Sequence, residues 1–157
     1  VSFYYQSPKP GQQGCHSTAP CSQEILALGT PLLWWTACAA LVYLLFRWAL
    51  RRDWRAGAVL CAVGAGYLPW FNYQDRTIFS FYAVAFVPYL CLAVAMLLGA
   101  LLGPPGASEA RRVRGTVAAG ALVLLIAWNF IYFFPLYTGQ TIPYADWHAR
   151  MWLDTWI

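Results

Sequence analysis

The stretch ILALGTPLLWWTACAALVYLLF, residues 25–46, decides the fold of this chain because no charged side chain interrupts it. A helix needs about 20 mostly apolar residues to cross the hydrocarbon core of a bilayer. This stretch exceeds that length, so it predicts a transmembrane helix.

Three further apolar runs follow the first, separated by short polar or basic connectors. Each predicts a span, although the run at 56–71 is near the short limit. Pro88, near the middle of the third run, predicts a kink or tilt in that helix. We therefore predict an all-α fold of polytopic transmembrane helices. The four predicted spans cover residues 25–46, 56–71, 78–102 and 116–134.

The composition supports insertion into a membrane. The chain is 61% hydrophobic and 10% charged, whereas an ordinary soluble domain is about 45–50% apolar and about 25% charged. A soluble domain of 157 residues has too little interior to hide so much apolar surface. The net charge of +4 comes from arginine clusters between apolar runs, so it indicates topology and excludes a nucleic-acid partner.

The positions of the basic residues predict the orientation of the spans. Seven of the ten Lys and Arg residues lie in the connectors at 47–55 and 103–115, and the other three are isolated. Connectors rich in Lys and Arg stay on the cytoplasmic side of a membrane. Both ends of the chain are therefore predicted to lie outside. The isolated basic residues are Lys9, Arg76 and Arg150, one in each predicted outer segment.

This orientation divides the chain into three regions of a multi-pass protein of the plasma (inner) membrane. Residues 1–24 are polar and contain several Pro and Gly, which predicts an extracytoplasmic loop. Residues 25–136 are the predicted four-helix transmembrane segment. Residues 137–157 are amphipathic and carry Trp residues, which predicts an extracytoplasmic interfacial tail on the outer leaflet. Because the chain begins at Val1, without an initiator Met, we expect it to be part of a longer protein.

The outer hairpin NYQDRT, residues 72–77, is the segment best placed to carry chemistry. Its Asp75 and Arg76 form the only charged pair between two spans on the outer side, and the connector is too short to hold them away from the membrane surface. A guanidinium can donate two parallel hydrogen bonds to a phosphate. The alternative is that the pair only caps the hairpin and contacts lipid headgroups, and spacing alone favours this structural interpretation.

Cys15 and Cys21 lie six positions apart in the first outer loop. They could form a disulfide in an oxidising compartment, and the sequence leaves open whether they are bridged. His16 stands beside Cys15, but no second cluster of Cys and His completes a set of four ligands. We therefore expect no metal.

Five separated segments resemble the C-terminal third of the bacterial polyprenyl-phosphate-mannose protein O-mannosyltransferases, in their actinobacterial form. The similarity runs in consistent order from one end of the chain to the other. The segments are FYYQSPKPG at 3–11, CSQEILALGTPLLWW at 21–35, RRDWRAG at 51–57, LPWFNYQDRTIFSFYAVAFVPY at 68–89 and TGQTIPYADWHARMWLDTWI at 138–157.

The resemblance implies a membrane glycosyltransferase of the GT-C class. Such an enzyme transfers mannose from polyprenyl-phosphate-mannose to Ser or Thr residues of secreted proteins, and no cofactor is expected besides this lipid-linked substrate. The catalytic acid of the family lies in the N-terminal part, so this segment alone is expected to be inactive. The partners implied are membrane lipid, the donor, the secreted acceptor and the secretion translocon.

The residues and the resemblance converge on Arg76 as a ligand of the donor phosphate, because a fixed guanidinium stabilises the charge of a leaving phosphate. Gln74 and Tyr73 could orient it, beside Asp75. Lys9 is a candidate substrate contact. Two other functions compete: a transporter fragment, which the shortage of ionisable groups in the spans disfavours, and a non-catalytic membrane scaffold subunit, which needs no outer phosphate site.

Overall fold

The structure is a computed structural model that describes residues 2–73, 75, 80–153 and 156. Two compact units divide the chain. We call Val1–Pro31 with Ile126–Ile157 the sheet unit and Leu32–Leu125 the helical unit.

Helices α1 (Pro31–Arg51), α2 (Trp54–Tyr67) and α3 (Val87–Leu102) build the helical unit, together with the first part of α4 (Glu109–Thr138). Two 3₁₀ segments, Leu68–Asn72 and Ser80–Ala85, lie between α2 and α3. Small and branched apolar side chains from three helices form the core, which lets their backbones pack closely. These are Ala37, Ala40 and Leu44 from α1, Ala56, Val59 and Val63 from α2, and Leu90, Ala93 and Val94 from α3.

The basic connector predicted at 47–55 is almost entirely helical, because α1 runs to Arg51 and α2 begins at Trp54. Arg52 ends α1 with a φ of 53°, and its N–H donates to the carbonyl oxygen of Trp48 at 3.0 Å. This is the left-handed helix cap that glycine usually provides. Asp53 then caps α2 by accepting from the N–H of Arg55.

Pro88 does not kink the third helix near its middle, as the sequence predicted. It lies in the first turn of α3, where a missing N–H leaves no helical hydrogen bond unmade. The preceding part of the predicted span forms the 3₁₀ segment Ser80–Ala85. Residues 78 and 79, with which that span was to begin, are outside the described residues.

Two of the described helices, α1 and α4, are long and apolar enough to cross a membrane, and α3 is a shorter apolar helix. The predicted span at 25–46 begins six residues late, at Pro31, because part of its sequence is a strand. The predicted span at 116–134 lies inside α4, which is longer at both ends.

Strands β1 (Ser2–Gln6), β2 (Cys21–Leu26) and β3 (Thr141–Pro143) form an antiparallel sheet in the order β1-β2-β3. The chain is mostly helical, but the prediction of an all-α fold is wrong for this sheet. Residues 1–24 were predicted as a loop because β1 pairs with β2 across the connection at residues 7–20 and β2 pairs with β3 more than 100 residues away, so neither pairing leaves a local signal. The tail contributes β3 and the five-residue helix α5 (Tyr144–His148).

A second core lies within the sheet unit. It consists of Leu26 from β2, Phe133 and Leu136 from α4, and Trp147 and Met151 from the tail. Since side chains alternate along a strand, Ser22 and Glu24 are buried on the same face of β2 as Leu26. The tail is therefore packed against the sheet and the end of α4 by its own apolar side chains.

Candidate functional site

The predicted phosphate site falls partly outside the described residues, because Gln74 and Arg76 are not among them. Tyr73 is 54% exposed, and Asp75 lies in an exposed turn. The predicted role of these four residues stays a prediction.

Aromatic contacts fix the two segments that flank this hairpin. The rings of Trp70 and Tyr82 lie 4.8 Å apart, and the indole N–H of Trp70 donates to the carbonyl oxygen of Gly66 at 3.0 Å. Tyr67 contacts both Phe71 and Phe86, with 5.5 Å between ring centroids in each pair. The segments before and after the hairpin are therefore held together within the helical unit.

Lys9, the predicted substrate contact, is exposed in the loop between β1 and β2. Its carbonyl oxygen accepts from the N–H of Gln12 at 3.0 Å, which closes a turn. Lys9 belongs to the sheet unit, whereas Tyr73 and Asp75 belong to the helical unit.

The same loop contains a disulfide between Cys15 and Cys21, with 5.9 Å between the Cα atoms. Both cysteines are buried. The N–H of Cys21 donates to the carbonyl oxygen of Pro8 at 3.1 Å, so the bridge lies where the loop enters β2. The loop is thereby fixed to the sheet at its second end.

Glu24 is a residue that sequence reasoning missed, since it was assigned to a polar loop. Its side chain is only 4% exposed, and its carboxyl group accepts from the indole N–H of Trp147 at 2.5 Å. The Trp147 ring lies 5.9 Å from that of Tyr5 and 5.3 Å from that of Tyr144. The two hydrogen-bonded residues are 123 positions apart, so no local pattern reveals the pair.

Arg150 is a second residue that sequence reasoning missed, having been counted only as an isolated basic residue. Its Nε donates to the carbonyl oxygen of Tyr132 at 2.8 Å, and Nη1 donates to that of Asp146 at 2.5 Å. Its Cζ lies 4.6 Å from the centroid of the Tyr132 ring. The Tyr132 hydroxyl donates to the carbonyl oxygen of Ala149 at 3.0 Å. The guanidinium is therefore held in one place at the end of α4.

The structure describes one ion pair, between Arg47 Nε and a carboxylate oxygen of Asp53 at 2.5 Å. The hydrogen bond from Arg47 is the main cause that lowers the pKa of the Asp53 carboxyl group, and the N–H of Arg55 acts in the same direction. Within residues 2–73, 75, 80–153 and 156, no three His, Cys, Asp or Glu side chains come together as metal ligands.

A family model described as the C-terminal four TMM region of protein-O-mannosyltransferase matches residues 3–156. The chain is 38% identical over 143 residues to a polyprenol-phosphate-mannose–protein mannosyltransferase of Mycolicibacterium smegmatis, a match that covers 91% of this chain and 28% of that protein. The protein of that name in Mycobacterium tuberculosis is 37% identical over 143 residues (91% and 27% covered). That of Corynebacterium glutamicum is 31% identical over 142 residues (90% and 27%). The chain thus spans less than a third of the length of these relatives, and no solved structure matches it.

Proposed function

The chain belongs to the family of C-terminal regions of protein O-mannosyltransferases, and from this membership we propose that the full-length protein transfers mannose from polyprenyl-phosphate-mannose to Ser or Thr residues of secreted proteins. The observation that carries the proposal is the family match over residues 3–156. The names of the relatives support this enzyme over a transporter or a scaffold subunit, because they state a mannosyl donor and a protein acceptor. The catalytic acid is expected outside this segment.

The proposed arrangement is four spans in the plasma membrane with both ends of the chain outside. Helix α2 alone has a rise of about 21 Å, which is short of a hydrocarbon core of about 30 Å. The adjoining 3₁₀ segment Leu68–Asn72 adds about 10 Å. The segment Ser80–Ala85 extends α3 in the same way. The 3₁₀ segments therefore supply the length that the two shorter helices lack.

Within this arrangement the outer hairpin binds the donor phosphate through Arg76, assisted by Tyr73, Gln74 and Asp75. The exposure of Tyr73 and Asp75, together with the fixed segments on either side, supports this role. Lys9 contacts the acceptor protein from the loop between β1 and β2, which also contains the disulfide. Donor, acceptor, surrounding lipid and the translocon are the partners of the full-length protein.

The direct test is transfer of mannose from polyprenyl-phosphate-mannose to a Ser/Thr peptide by the full-length protein in detergent. Arg76→Ala should lower kcat/KM about a hundredfold or more, because a charge partner of the leaving phosphate is removed. Arg76→Lys should recover part of the loss, since an ammonium lacks the bidentate fork. Arg112→Ala, an exposed arginine at the start of α4, is the matched control and should retain activity.

Two outcomes are decisive for separate parts of the proposal. A well-folded wild-type protein that transfers no mannose would refute the function. Wild-type rates in Arg76→Ala would instead show that the hairpin is structural and that the phosphate binds elsewhere.

The topology is tested by labelling single cysteines in intact cells, in a background where the native cysteines are replaced. Ala110→Cys should be protected from an impermeant thiol reagent, because the arginines around it predict a cytoplasmic position. Gln12→Cys, in the predicted outer loop, should react. Labelling at position 110 would reverse the proposed orientation.

A further inference from the structure

The guanidinium of Arg150 is held in a fixed position, but no carboxylate of the described residues balances its charge. Its two hydrogen-bond acceptors, the carbonyl oxygens of Tyr132 and Asp146, are neutral. Within the part of the chain that the structure describes, Arg150 has no carboxylate partner, since the ion pair described is that of Arg47 with Asp53. The side chain is partly buried, so water neutralises its charge less well than at a free surface.

The fixed geometry leaves hydrogen-bonding capacity unused. A guanidinium carries five N–H donors in one plane, and the carbonyl oxygens of Tyr132 and Asp146 account for two of them. One of its two faces lies against the Tyr132 ring, with 4.6 Å between Cζ and the ring centroid. Because the remaining N–H donors point outward in the guanidinium plane, further acceptors approach in that plane, which is how a phosphate accepts two parallel hydrogen bonds.

The aromatic surroundings indicate the depth of this cation. The Tyr132 ring stacks with those of Trp128 and Trp152, at centroid distances of 5.6 and 6.1 Å. Trp128 is 54% exposed. Trp and Tyr concentrate where a bilayer meets water, at the level of the phosphates of lipids. The end of α4 has this composition on the side that the proposed topology places outside.

We propose that Arg150 binds the phosphate of a lipid at the outer surface of the membrane. The ligand chemistry is a phosphate ester on a hydrocarbon anchor, which two molecules supply: an anionic phospholipid or the polyprenyl phosphate carrier. In the second case the inference rests on the proposed function and adds a phosphate ligand beyond the hairpin. Arginine suits this role better than lysine, because a rigid planar fork loses less freedom when it binds.

The test measures lipid binding rather than catalysis, using delipidated full-length protein in detergent. Intrinsic Trp fluorescence reports the titration, since Trp128 and Trp152 flank the ring under the guanidinium. The probes are polyprenyl phosphate, phosphatidylglycerol and polyprenol, which has the chain without the phosphate. Arg150→Gln should raise the Kd of at least one phosphate lipid tenfold or more, Arg150→Lys should raise it less, and polyprenol binding should not change.

Two further variants separate a phosphate ligand from a structural tie. Arg55→Gln removes another arginine that lies over an indole ring, at 5.9 Å from Trp54, and should leave the Kd within twofold of wild type. Tyr132→Phe deletes the hydroxyl that anchors Ala149 but keeps the ring under Arg150, so it should also bind normally. If Tyr132→Phe reproduces the loss, the effect is structural and the proposal is overturned.

The remaining outcomes identify the ligand. A loss confined to polyprenyl phosphate assigns Arg150 to the carrier, whereas equal losses for both phosphate lipids assign it to a general headgroup site. Unchanged Kd values for both lipids in Arg150→Gln would refute the proposal. A wild-type protein that binds phosphate lipids through Arg150 but transfers no mannose would refute the proposed function alone.

Discussion

Gly115 in α4 is predicted to be required for the close contact between α3 and α4. A Cβ atom on residue 115 would lie 3.0 Å from the Cα of Leu102 and would collide with the carbonyl oxygen of Leu101. Both obstacles are backbone atoms, so no side-chain rotation relieves them. Ordinary contacts between carbon atoms are about 3.5–4.0 Å, so the contact with Leu102 alone requires Gly115→Ala to separate the two helices by roughly 0.5–1 Å, and the closer carbonyl oxygen of Leu101 requires more.

The expected cost follows from two opposing effects. Overpacking of this kind costs about 1–3 kcal/mol, whereas replacing Gly by Ala inside a helix gains up to about 1 kcal/mol. Gly120, five residues later in the same helix, has open space where a Cβ atom would lie, with no neighbouring atom of the described residues within 4 Å. Gly120→Ala should therefore gain helix stability without any overpacking. The helix-propensity gain is common to both variants, so they should differ by the overpacking cost of about 1–3 kcal/mol, with Gly115→Ala the less stable.

The assay is thermal or denaturant unfolding of the full-length protein in one detergent, with both variants and wild type measured side by side. Gly115→Ala should unfold at a lower temperature than wild type, and Gly120→Ala at the same or a higher temperature. Equal stability of the two variants would refute the close approach of α3 and α4 at Gly115.

The remaining predictions concern the other contacts described above. Replacing Cys15 and Cys21 by Ser should lower the free energy of unfolding by about 2–3 kcal/mol, because the bridge restricts the unfolded chain. Mass spectrometry of unreduced peptides should recover the two cysteines linked. Recovery of two fully alkylated thiols would contradict this. The pKa of the Asp53 carboxyl group is lowered in the folded protein. The carboxylate should therefore stabilise the protein at a pH above the ordinary carboxyl pKa of about 4, and this stabilisation should be lost as the pH falls through the folded-state pKa. The gap in Tm between wild type and Asp53→Asn should therefore be larger at pH 7 than at pH 3, and an equal gap would argue against it. Trp147→Phe should lower the free energy of unfolding by about 1.5–3 kcal/mol, because it leaves the buried acceptor Glu24 without its donor. Trp128→Phe should lower it much less. Similar losses of Tm in the two variants would disprove the role of the hydrogen bond.

The sequence and the structure agree best where the signal is local. The uncharged runs around α1 and α4 predicted helices able to span a membrane, and both helices are present. The predicted ends of the helices were wrong, and the reasons also lie in the neighbouring residues. Arginine is a good helix former, so α1 continues to Arg51 inside the predicted connector. Pro88 was interpreted as a kink, but it stands where a helix can begin.

The residues of the candidate site also divide into those that the sequence indicated and those that only the structure revealed. The sequence pointed to Arg76 and Lys9 because an isolated charge between apolar runs is visible without any structure. Glu24 and Arg150 were not found, because their importance lies in what they contact. Glu24 accepts a hydrogen bond from Trp147, near the other end of the chain, and Arg150 in the tail donates to the carbonyl oxygen of Tyr132 in α4.

By itself, then, the sequence determined which segments avoid water and which connectors carry the positive charge, since both follow from the side chains of a single run. Only the tertiary structure decided that β1, β2 and β3 pair into a sheet and that Arg150 is fixed over Tyr132. The physical reason is that apolar length and charge are properties of neighbouring residues. Strand pairing, burial of Glu24 and the position of a guanidinium instead depend on groups that come together only when distant parts of the chain pack.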